Sequence, residues 1–319
     1  MKSLVLASLA VLSLGAGAAN ADYSLTILHT NDFHSQFGPI DFFDRDCPAD
    51  ENDAGKCFGG SARLATAIAE ARARSDNTVL LDAGDQFPSL NDPSNARPKL
   101  LAELMNRMGY DAMALGSHEF DEGPEITRTF LDRLEFPALM ANADLSEAPL
   151  LVGAVQKSTV IERGGERLGI IGLTPEGSTY WRDVDYITIS DSVTAVQTEV
   201  DKLTADGVDK IIVLSHSGYE ADKRIARETT GIDVIVGGHT HTYLSNTLKP
   251  SQGPYPTTEN GVPIVHAWPF GNTLGELQVS FDDSGNLVSA VGDQIRLDAE
   301  VAEDTSIKAL VSDALLKSE

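Results

Sequence analysis

Five short segments of the chain place histidines or aspartates directly after an apolar run, where the end of a strand delivers polar groups to a site. The densest is residues 115–121, which read Leu-Gly-Ser-His-Glu-Phe-Asp. That segment puts a hydroxyl, an imidazole and two carboxylates within seven residues. The ligand-type residues of the five segments include five of the seven histidines; they are Asp32, His34, Asp85, His118, Asp121, His216, His239 and His241.

A set of imidazoles and carboxylates without thiolates suits divalent Zn, Mn, Fe, Co or Mg better than it suits a structural zinc site. Taken singly, each residue has an ordinary explanation: Asp85 as a turn residue, His216 as a core histidine, Asp32 as a cap. Their joint occurrence favours metal, because such groups gathered in a buried place are costly without a cation. The ligands are too many for one ion. They predict two ions that share a carboxylate, which can polarise a phosphoryl oxygen and activate water.

Alternating apolar and amphipathic stretches predict the elements that carry these residues. Strands are predicted at residues 24–28, 78–81, 113–115, 138–141, 168–173, 210–214 and 232–236, with helices between them. This order favours parallel strands with helical crossovers, whose carboxyl ends share one rim where ligands bind. Residues 261–268, 275–282 and 287–297 are predicted to form a closing antiparallel meander, followed by a helix over 305–317. The pattern favours one mixed α/β domain.

The acidic composition restricts the partners. Lys and Arg number 24 against 48 Asp and Glu, a formal net charge of −24. Such a surface repels polyanions, so a nucleic acid polymer is not expected as a partner. A small anionic substrate needs local positive charge, for which bound metal is the obvious source.

The first 21 residues have the features of a secretory signal peptide: a positive start at Lys2, a short apolar stretch and a small-residue cleavage site. An uncleaved anchor is the alternative, and the shortness of the apolar stretch disfavours it. We therefore expect a periplasmic or secreted chain that starts near Asp22. No later segment is apolar and long enough to predict a membrane helix.

Cys47 and Cys57 are the only cysteines, ten positions apart in a polar stretch. In an exported protein such a pair most simply forms one disulfide that closes a surface loop. Two free thiols or a soft metal site is the alternative. Without a neighbouring histidine the pair makes a poor zinc motif.

Five motifs stand in the order typical of calcineurin-like metallophosphoesterases. They are Asn31-Asp32-Phe33-His34, Gly84-Asp85-Gln86-Phe87, Gly116-Ser117-His118-Glu119-Phe120-Asp121, Ser215-His216 and Gly237-Gly238-His239-Thr240-His241. More narrowly, the chain resembles the 5'-nucleotidase branch, since residues 57–60, 108–111, 142–144 and 253–256 also match it. The resemblance covers essentially all of the mature chain, and the set of five motifs is highly specific.

The resemblance implies an α/β fold, a four-layer α/β/β/α sandwich with two mixed sheets and a binuclear metal site at the carboxyl-terminal rim of the strands. It further implies a metallophosphoesterase domain over residues 22–303. Residues 304–319 would form a helix that starts a linker to a C-terminal domain that the sequence does not include.

The resemblance also implies roles for the site residues. Asp32, His34, Asp85 and His241 would hold the first metal. Asp85 would bridge to the second, which His216 and His239 help to hold. His118 would steady the transition-state phosphate or the leaving group, and Asp121 would orient its ring, which is sensible because a carboxylate partner fixes the tautomer and raises the basicity of an imidazole.

Two departures from the family pattern bear on activity. The family has Asn where this chain has Ser117, and that Asn normally gives a carbonyl oxygen to the second metal. Because serine is shorter and its hydroxyl is a weak ligand, we expect reduced metal affinity or activity rather than complete loss. The family's nucleotidases also carry a C-terminal domain that binds the nucleoside, so nucleotide specificity does not follow from these residues, and a separate chain that supplies this domain stays an open alternative.

Two further histidines and three aromatic residues lie outside these motifs. His29 and His266 match no ligand position, so core or surface roles are expected. Trp181, Trp268 and Phe270 are candidates to border a substrate cleft, although an aromatic residue more often serves packing.

Two hypotheses for function follow. The first is an exported two-metal phosphoester hydrolase, 5'-nucleotidase-like, that cleaves nucleotides or other small phosphomonoesters with metal-activated water. The alternative is a non-catalytic or weakly active homologue that acts as a metal- or ligand-binding protein, which Ser117 and the missing substrate domain would favour, since a shared fold does not guarantee activity.

Overall fold

A computed structural model describes residues 23–88, 97–177 and 184–316. The expected signal peptide and Trp181 lie outside these residues. The strands are β1 (Tyr23–Thr30), β2 (Thr78–Asp82), β3 (Ala112–Ala114), β4 (Ala138–Leu139), β5 (Ala143–Asp144), β6 (Ser158–Arg163), β7 (Glu166–Leu173), β8 (Thr188–Ile189), β9 (Lys210–Ser215), β10 (Val234–Gly237), β11 (Thr257–Glu259), β12 (Val262–His266), β13 (Thr273–Phe281) and β14 (Leu287–Arg296). The α-helices are α1 (Ala49–Asp53), α2 (Ser61–Arg72), α3 (Pro98–Met108), α4 (Pro124–Leu131), α5 (Ser192–Ala205), α6 (Tyr219–Glu228) and α7 (Thr305–Leu316).

Two six-stranded mixed sheets form the centre of the molecule. The first has the order β14-β13-β1-β2-β3-β4, and the second has the order β11-β12-β10-β9-β7-β6. In the first sheet β1 to β4 run parallel, and the β13–β14 hairpin joins β1 antiparallel. In the second sheet β7, β9, β10 and β12 run parallel, with antiparallel edges. The central parallel strands therefore present their carboxyl ends along one rim of each sheet.

Three apolar clusters separate four layers, as the expected α/β/β/α sandwich requires. Leu25 and Ile27 of β1 lie in the cluster between the two sheets. Leu28, which follows on the opposite face, packs in the cluster under α2, α3, α4 and α7. On the far side, Ile211 and Val213 of β9 pack against α5 and α6. Because these strands are covered on both faces, they read as nearly continuous apolar runs in the sequence.

The predicted closing meander is wrong in its first strand. β12 belongs to the second sheet, where it pairs parallel with β10 and antiparallel with β11. Only β13 and β14 form the antiparallel pair, and they extend the first sheet. β12 is buried along its whole length, so its residues favour a strand without indicating which neighbour it joins.

The carboxy-terminal helix packs on the domain. Ile307 and Val311 of α7 are buried in the same apolar cluster as α2 and α3. None of the helices in the described ranges combines the length and the apolar character that a membrane crossing requires.

Candidate metal centre

The candidate ligands lie where strands end, and the two sheets bring them together. Asp32 and His34 follow β1, Asp85 follows β2, His216 follows β9, and His239 and His241 follow β10. Two groups have ligand atoms within 4.8 Å of one another: Asp32, His34 and His241, and Asp85, His216 and His239. Each group combines residues from both sheets.

The first group joins β1 to β10. The Nε2 atoms of His34 and His241 lie 3.1 Å apart. Asp32 Oδ1 lies 3.5 Å from His241 Nε2 and 4.0 Å from His34 Nε2. Three possible ligand atoms thus converge on a point between the sheets, at distances from one another that would let them share one cation.

The second group joins β2 to β9 and β10. His216 Nε2 lies 2.9 Å from Asp85 Oδ2, and the ring centroids of His216 and His239 are 5.1 Å apart. His216 Nε2 is also 3.9 Å from Asp32 Oδ1, a member of the first group. The two groups are therefore adjacent, with Asp85 and Asp32 both close to the same imidazole.

Five of these six residues have backbone conformations that L-residues rarely adopt. The φ angles are 50° at Asp32, 48° at His34, 56° at Asp85, 75° at His239 and 50° at His241. Non-glycine residues in this region cost free energy and persist only where the surroundings fix them, most often at functional sites. The strand ends are thus bent so that the side chains turn toward one another.

Glycine is required where the backbone passes close to the ligands. A Cβ at Gly116 would lie 2.1 Å from Asp85 Oδ1, and one at Gly84 would lie 2.7 Å from the nitrogen of Gly116. Gly84 also has a φ of 95°. The glycines of these motifs therefore let the loops after β2 and β3 touch beside the Asp85 carboxylate.

Hydrogen bonds to backbone carbonyls fix the tautomers of two imidazoles. His34 Nδ1 donates to the carbonyl of Phe87 at 3.0 Å, and His216 Nδ1 donates to that of Ala83 at 2.5 Å. When the rings are neutral, Nε2 of each is therefore the lone-pair atom that faces the cluster. His216 Nε2 is fully buried yet makes no hydrogen bond. A buried, orphaned imidazole nitrogen beside carboxylates fits a metal ligand, and the carbonyl partners fit the usual support of such ligands.

The charges of the site reinforce one another. Burial alone would raise the pKa of Asp85. The imidazoles of His216, His34 and His118 outweigh burial and hold that pKa well below its ordinary value. The pKa of Asp32 is likewise lowered to about 2 against the effect of burial, by His241 and His216. For His216, burial would lower the pKa, yet Asp85 raises it to about 10. The electrostatic potential of these carboxylates favours the binding of a cation. A divalent ion and a proton compete for Nε2 of His216.

His118 and Asp121 lie together in the turn after β3. His118 Nδ1 is 2.5 Å from Asp121 Oδ2, and the backbone N–H of His118 donates to Asp85 Oδ1 at 3.0 Å. Burial would lower the pKa of His118, but the hydrogen bond with Asp121 and the charge of Asp85 raise it to about 9. The ring is a quarter exposed at the edge of the cluster. This geometry presents the His118 imidazole to solvent beside the candidate metal ligands, with Asp121 favouring its protonated form.

Ser117 lies between Gly116 and His118 and is buried. Its carbonyl accepts the N–H of Phe120, which closes the short 3₁₀ turn of residues His118–Phe120. Its chain neighbours Gly116 and His118 both approach Asp85, and the short side chain of serine has less reach toward that carboxylate than asparagine would have.

Glu119 supports the loops that carry the candidate ligands, a role that the sequence did not indicate. Its buried carboxylate accepts backbone N–H groups of Gly116 at 2.7 Å, Gln86 at 2.6 Å and Asp85 at 3.2 Å. Burial and the nearby Asp85 raise the pKa of Glu119 to about 7. The residue joins the loops after β2 and β3. The sequence feature that could have indicated this role is an acidic residue that lies between the end of β3 and the apolar Phe120.

The aromatic candidates separate into two kinds. Phe270 stands beside the first group, with ring centroids 5.3 Å from His241 and 5.5 Å from His34. Trp268 instead packs on Tyr243, with centroids 4.5 Å apart. Phe270 therefore borders the cluster, whereas the ring of Trp268 serves packing.

The remaining histidines have core roles, as expected. His29 is fully buried and bonds the hydroxyl of Tyr255 at 2.8 Å, while His266 bonds Asp222 at 2.7 Å. The expected disulfide also forms: Cys47 and Cys57 are joined, with Cα atoms 6.2 Å apart.

Comparison with known proteins identifies the family. The family model of calcineurin-like phosphoesterases matches residues 25–243, more than half of the chain and all of the candidate site. The chain belongs to the calcineurin-like phosphoesterase family.

Members of this family with similar sequences include nucleotidases. The chain is 41% identical to the 5'-nucleotidase of Rattus norvegicus, across 99% of this chain and 56% of that protein. It is 40% identical to a snake venom 5'-nucleotidase of Gloydius brevicauda, across 95% of this chain and 52% of that protein. The chain thus spans about half the length of the curated relatives it matches.

A solved structure has the same fold. The 5'-nucleotidase precursor from Thermus thermophilus superposes with a TM-score of 0.83 at 37% identity, covering 91% of this chain and 58% of that one. Calcineurin-like phosphoesterases use two divalent metals, and the two adjacent ligand groups of this chain match that requirement. No particular metal is indicated, since imidazole and carboxylate ligands suit several.

Proposed function

We propose that this chain is an exported two-metal phosphoester hydrolase that cleaves nucleotides or other small phosphomonoesters. The observation that carries the proposal is the pair of adjacent ligand groups with His118 and Asp121 at their edge. Its similarity to 5'-nucleotidases across nearly the whole chain supports the substrate class. With a net charge of −24 on the chain, an anionic substrate needs the positive charge of the metals to approach.

We assign the first metal to Asp32, His34 and His241, with Asp85 as the shared ligand. The second is assigned to His216 and His239, with Ser117 beside it. Two divalent cations supply a Lewis acid for the phosphoryl oxygen and lower the pKa of water. The strained strand ends hold the ligands in place before the ions arrive, so little reorganisation is required on binding.

His118 acts on the substrate as a general acid. In its protonated form Nε2 donates to a phosphoryl oxygen or to the leaving oxygen, while Nδ1 stays bonded to Asp121. When water attacks phosphorus it releases a proton to solvent, the bond to the leaving oxygen breaks, and the proton of His118 passes to that oxygen; His118 is then protonated again from solvent. Asp121 stabilises the imidazolium and fixes its orientation.

The loop near the site and the amino terminus support export. Disulfides persist in oxidising compartments, and Cys47–Cys57 closes the loop between β1 and α2. One of the relatives is a snake venom protein. We therefore propose removal of residues 1–21 and residence in the periplasm or outside the cell. We keep the division into residues 22–303 and a C-terminal helix over 304–319 as part of the same proposal.

The test is hydrolysis by the purified mature chain, stripped with a chelator and then loaded with Mn²⁺ or Zn²⁺. An aryl phosphate and a nucleoside 5'-monophosphate are the substrates. We expect metal-dependent release of phosphate from both. Ser117→Asn distinguishes the non-catalytic alternative: turnover that appears only in this variant would favour a degenerate site, whereas turnover in the parent supports the hydrolase. A metal-loaded parent that releases no phosphate from either substrate would contradict the proposal.

A further inference from the structure

Asn31 connects the two sheets at the point where the two ligand groups meet. It directly follows β1 and is buried. Its side-chain Oδ1 accepts the N–H of Ala267 at 2.8 Å, and its Nδ2 donates to the carbonyl of Ala267 at 3.1 Å. Ala267 directly follows β12 of the second sheet. One amide thus pairs with both backbone groups of a residue in the opposite sheet, as a neighbouring strand would.

The same amide also holds a metal ligand. Nδ2 of Asn31 donates to Asp32 Oδ2 at 2.7 Å. From the second sheet, the backbone N–H of His239 approaches both oxygens of Asp32, at 3.0 and 3.1 Å. The Asp32 carboxylate is therefore held between the two sheets. The oxygen and both N–H groups of the Asn31 amide are used, so the side chain has one well-determined orientation.

A second amide clamp has the same form, but its amide bonds Thr174 and Ser192 rather than a candidate ligand. Asn142 is buried after β4 of the first sheet, and its Oδ1 accepts the N–H of Thr174 at 3.0 Å. Its Nδ2 donates to the carbonyl of Thr174 at 2.8 Å, and Thr174 follows β7 of the second sheet. The third bond goes to the hydroxyl of Ser192 at 3.3 Å rather than to a carboxylate. The fold therefore uses one device twice, and only one copy touches a metal ligand.

We propose that Asn31 is a positioning residue of the metal centre: it sets the orientation of Asp32 and the separation of the first-sheet ligands from His239 and His241. Asn142 joins the two sheets in the same way but does not bond a candidate ligand. The inference rests on the proposed metal centre but not on hydrolysis. Loss of a partner that supports a ligand typically weakens metal binding by about 10–100-fold.

The matched variants Asn31→Ala and Asn142→Ala test the proposal. Both remove one buried amide and leave one pair of backbone groups in the opposite sheet without its side-chain partner. We expect both to lower the melting temperature of the mature chain. Titration with Mn²⁺ or Zn²⁺ against a competing chelator should show a loss of affinity of about 10-fold or more at one site for Asn31→Ala. Asn142→Ala should keep both affinities of the parent.

The outcomes are distinguishable. Equal affinities for the two variants, or unchanged binding in Asn31→Ala, would overturn the positioning role. If Asn31→Ala does not fold, Asn31→Ser, which keeps a small polar side chain, is compared with Asn142→Ser in the same titration. A parent that binds two ions but hydrolyses nothing refutes the hydrolase and leaves the role of Asn31 intact. A parent that binds no ion refutes both.

Discussion

Aspartates at the two ends of the strands have pKa values that are shifted in opposite directions. Asp85, beyond the carboxyl end of β2, has a pKa well below the ordinary value because His216 and other imidazoles outweigh burial. Asp233, just before β10 at the other end, has its pKa raised to about 7 by burial, with a further contribution from Asp209. The hydrogen bond from the backbone of Ile211 and the charge of Lys210 oppose this rise. Lys210 is paired with Glu166 and Asp209. Burial raises the pKa of both carboxyls, and only Asp85, which faces several imidazoles, has a pKa below its ordinary value.

The two ends of the strands therefore differ in what their acidic residues do. At the end that carries the ligands, charges, strained backbone and close glycine contacts all serve a site that favours cations. At the other end, Asp233 only accepts the backbone N–H of Ile211, at 2.8 Å. Aspartate is thus a candidate ligand beyond the carboxyl end of β2 and a structural acceptor at the amino end of β10.

The largest difference is expected between Asp85→Asn and Asp233→Asn. The first removes the shared ligand, so hydrolysis of an aryl phosphate by the metal-loaded chain should fall by about 10³-fold or more, roughly 4 kcal/mol of transition-state stabilisation. The second makes the identical substitution away from the ligands and should leave kcat/KM near that of the parent. Comparable losses in both would break the contrast between the two strand ends.

The next effect concerns His118. As a general acid it works only when protonated, so kcat should decline as the pH rises through its pKa. That pKa is raised to about 9, chiefly by Asp121 and Asp85 acting against burial, and bound metal ions shift the decline to lower pH because they add positive charge. His118→Asn should reduce kcat by about 10²–10⁴-fold and abolish this limb of the pH profile. A profile unchanged in shape would exclude His118 as the acid.

A smaller effect is expected for Glu119→Gln. The amide would direct an N–H group toward backbone donors of Gly116 or Gln86, which now share the carboxylate. Because buried donors are left unpaired, the free energy of unfolding should fall by about 1–3 kcal/mol. Urea unfolding of the metal-free chain measures this loss, and an unchanged midpoint would mean that the carboxylate does not hold the two loops.

The smallest effect is the pH dependence that Asp233 contributes. Its pKa is about 7 in the folded chain and about 4 when unfolded, so the folded state holds the proton more tightly. This contribution is therefore fully present below pH 4 and is lost as the pH rises toward 7. Asp233→Asn removes it, so the parent should lose roughly 1–3 kcal/mol relative to the variant over that interval. Parallel stability curves would show that burial does not raise this pKa.

The sequence was most informative where ligand types coincide with strand ends. Apolar runs before Asp85 and His216 predicted strands, and the shared rim of parallel strands predicted that their ligands converge. The four layers came from the family resemblance, because apolar periodicity marks which residues are buried without indicating which of two sheets a strand joins. The misplaced strand β12 illustrates that limit.

The support around the ligands was not predictable in the same way. The side chains of Asn31, Glu119 and Asn142 bond backbone groups of residues distant in the sequence. Because nearly every residue has the same backbone N–H and carbonyl, the sequence does not indicate which of them a side chain will bond. The sequence also does not predict the positive φ of Asp32 or His241, because most aspartates and histidines have a negative φ. These features follow from how the two sheets are packed.

The most direct test of the central claim is anomalous diffraction from crystals of the mature chain loaded with Zn²⁺ or Mn²⁺. We expect two neighbouring anomalous peaks, one among Asp32, His34 and His241 and one among His216 and His239, with Asp85 touching both. Peaks at other residues, or a fully loaded crystal without a peak between these strand ends, would contradict it.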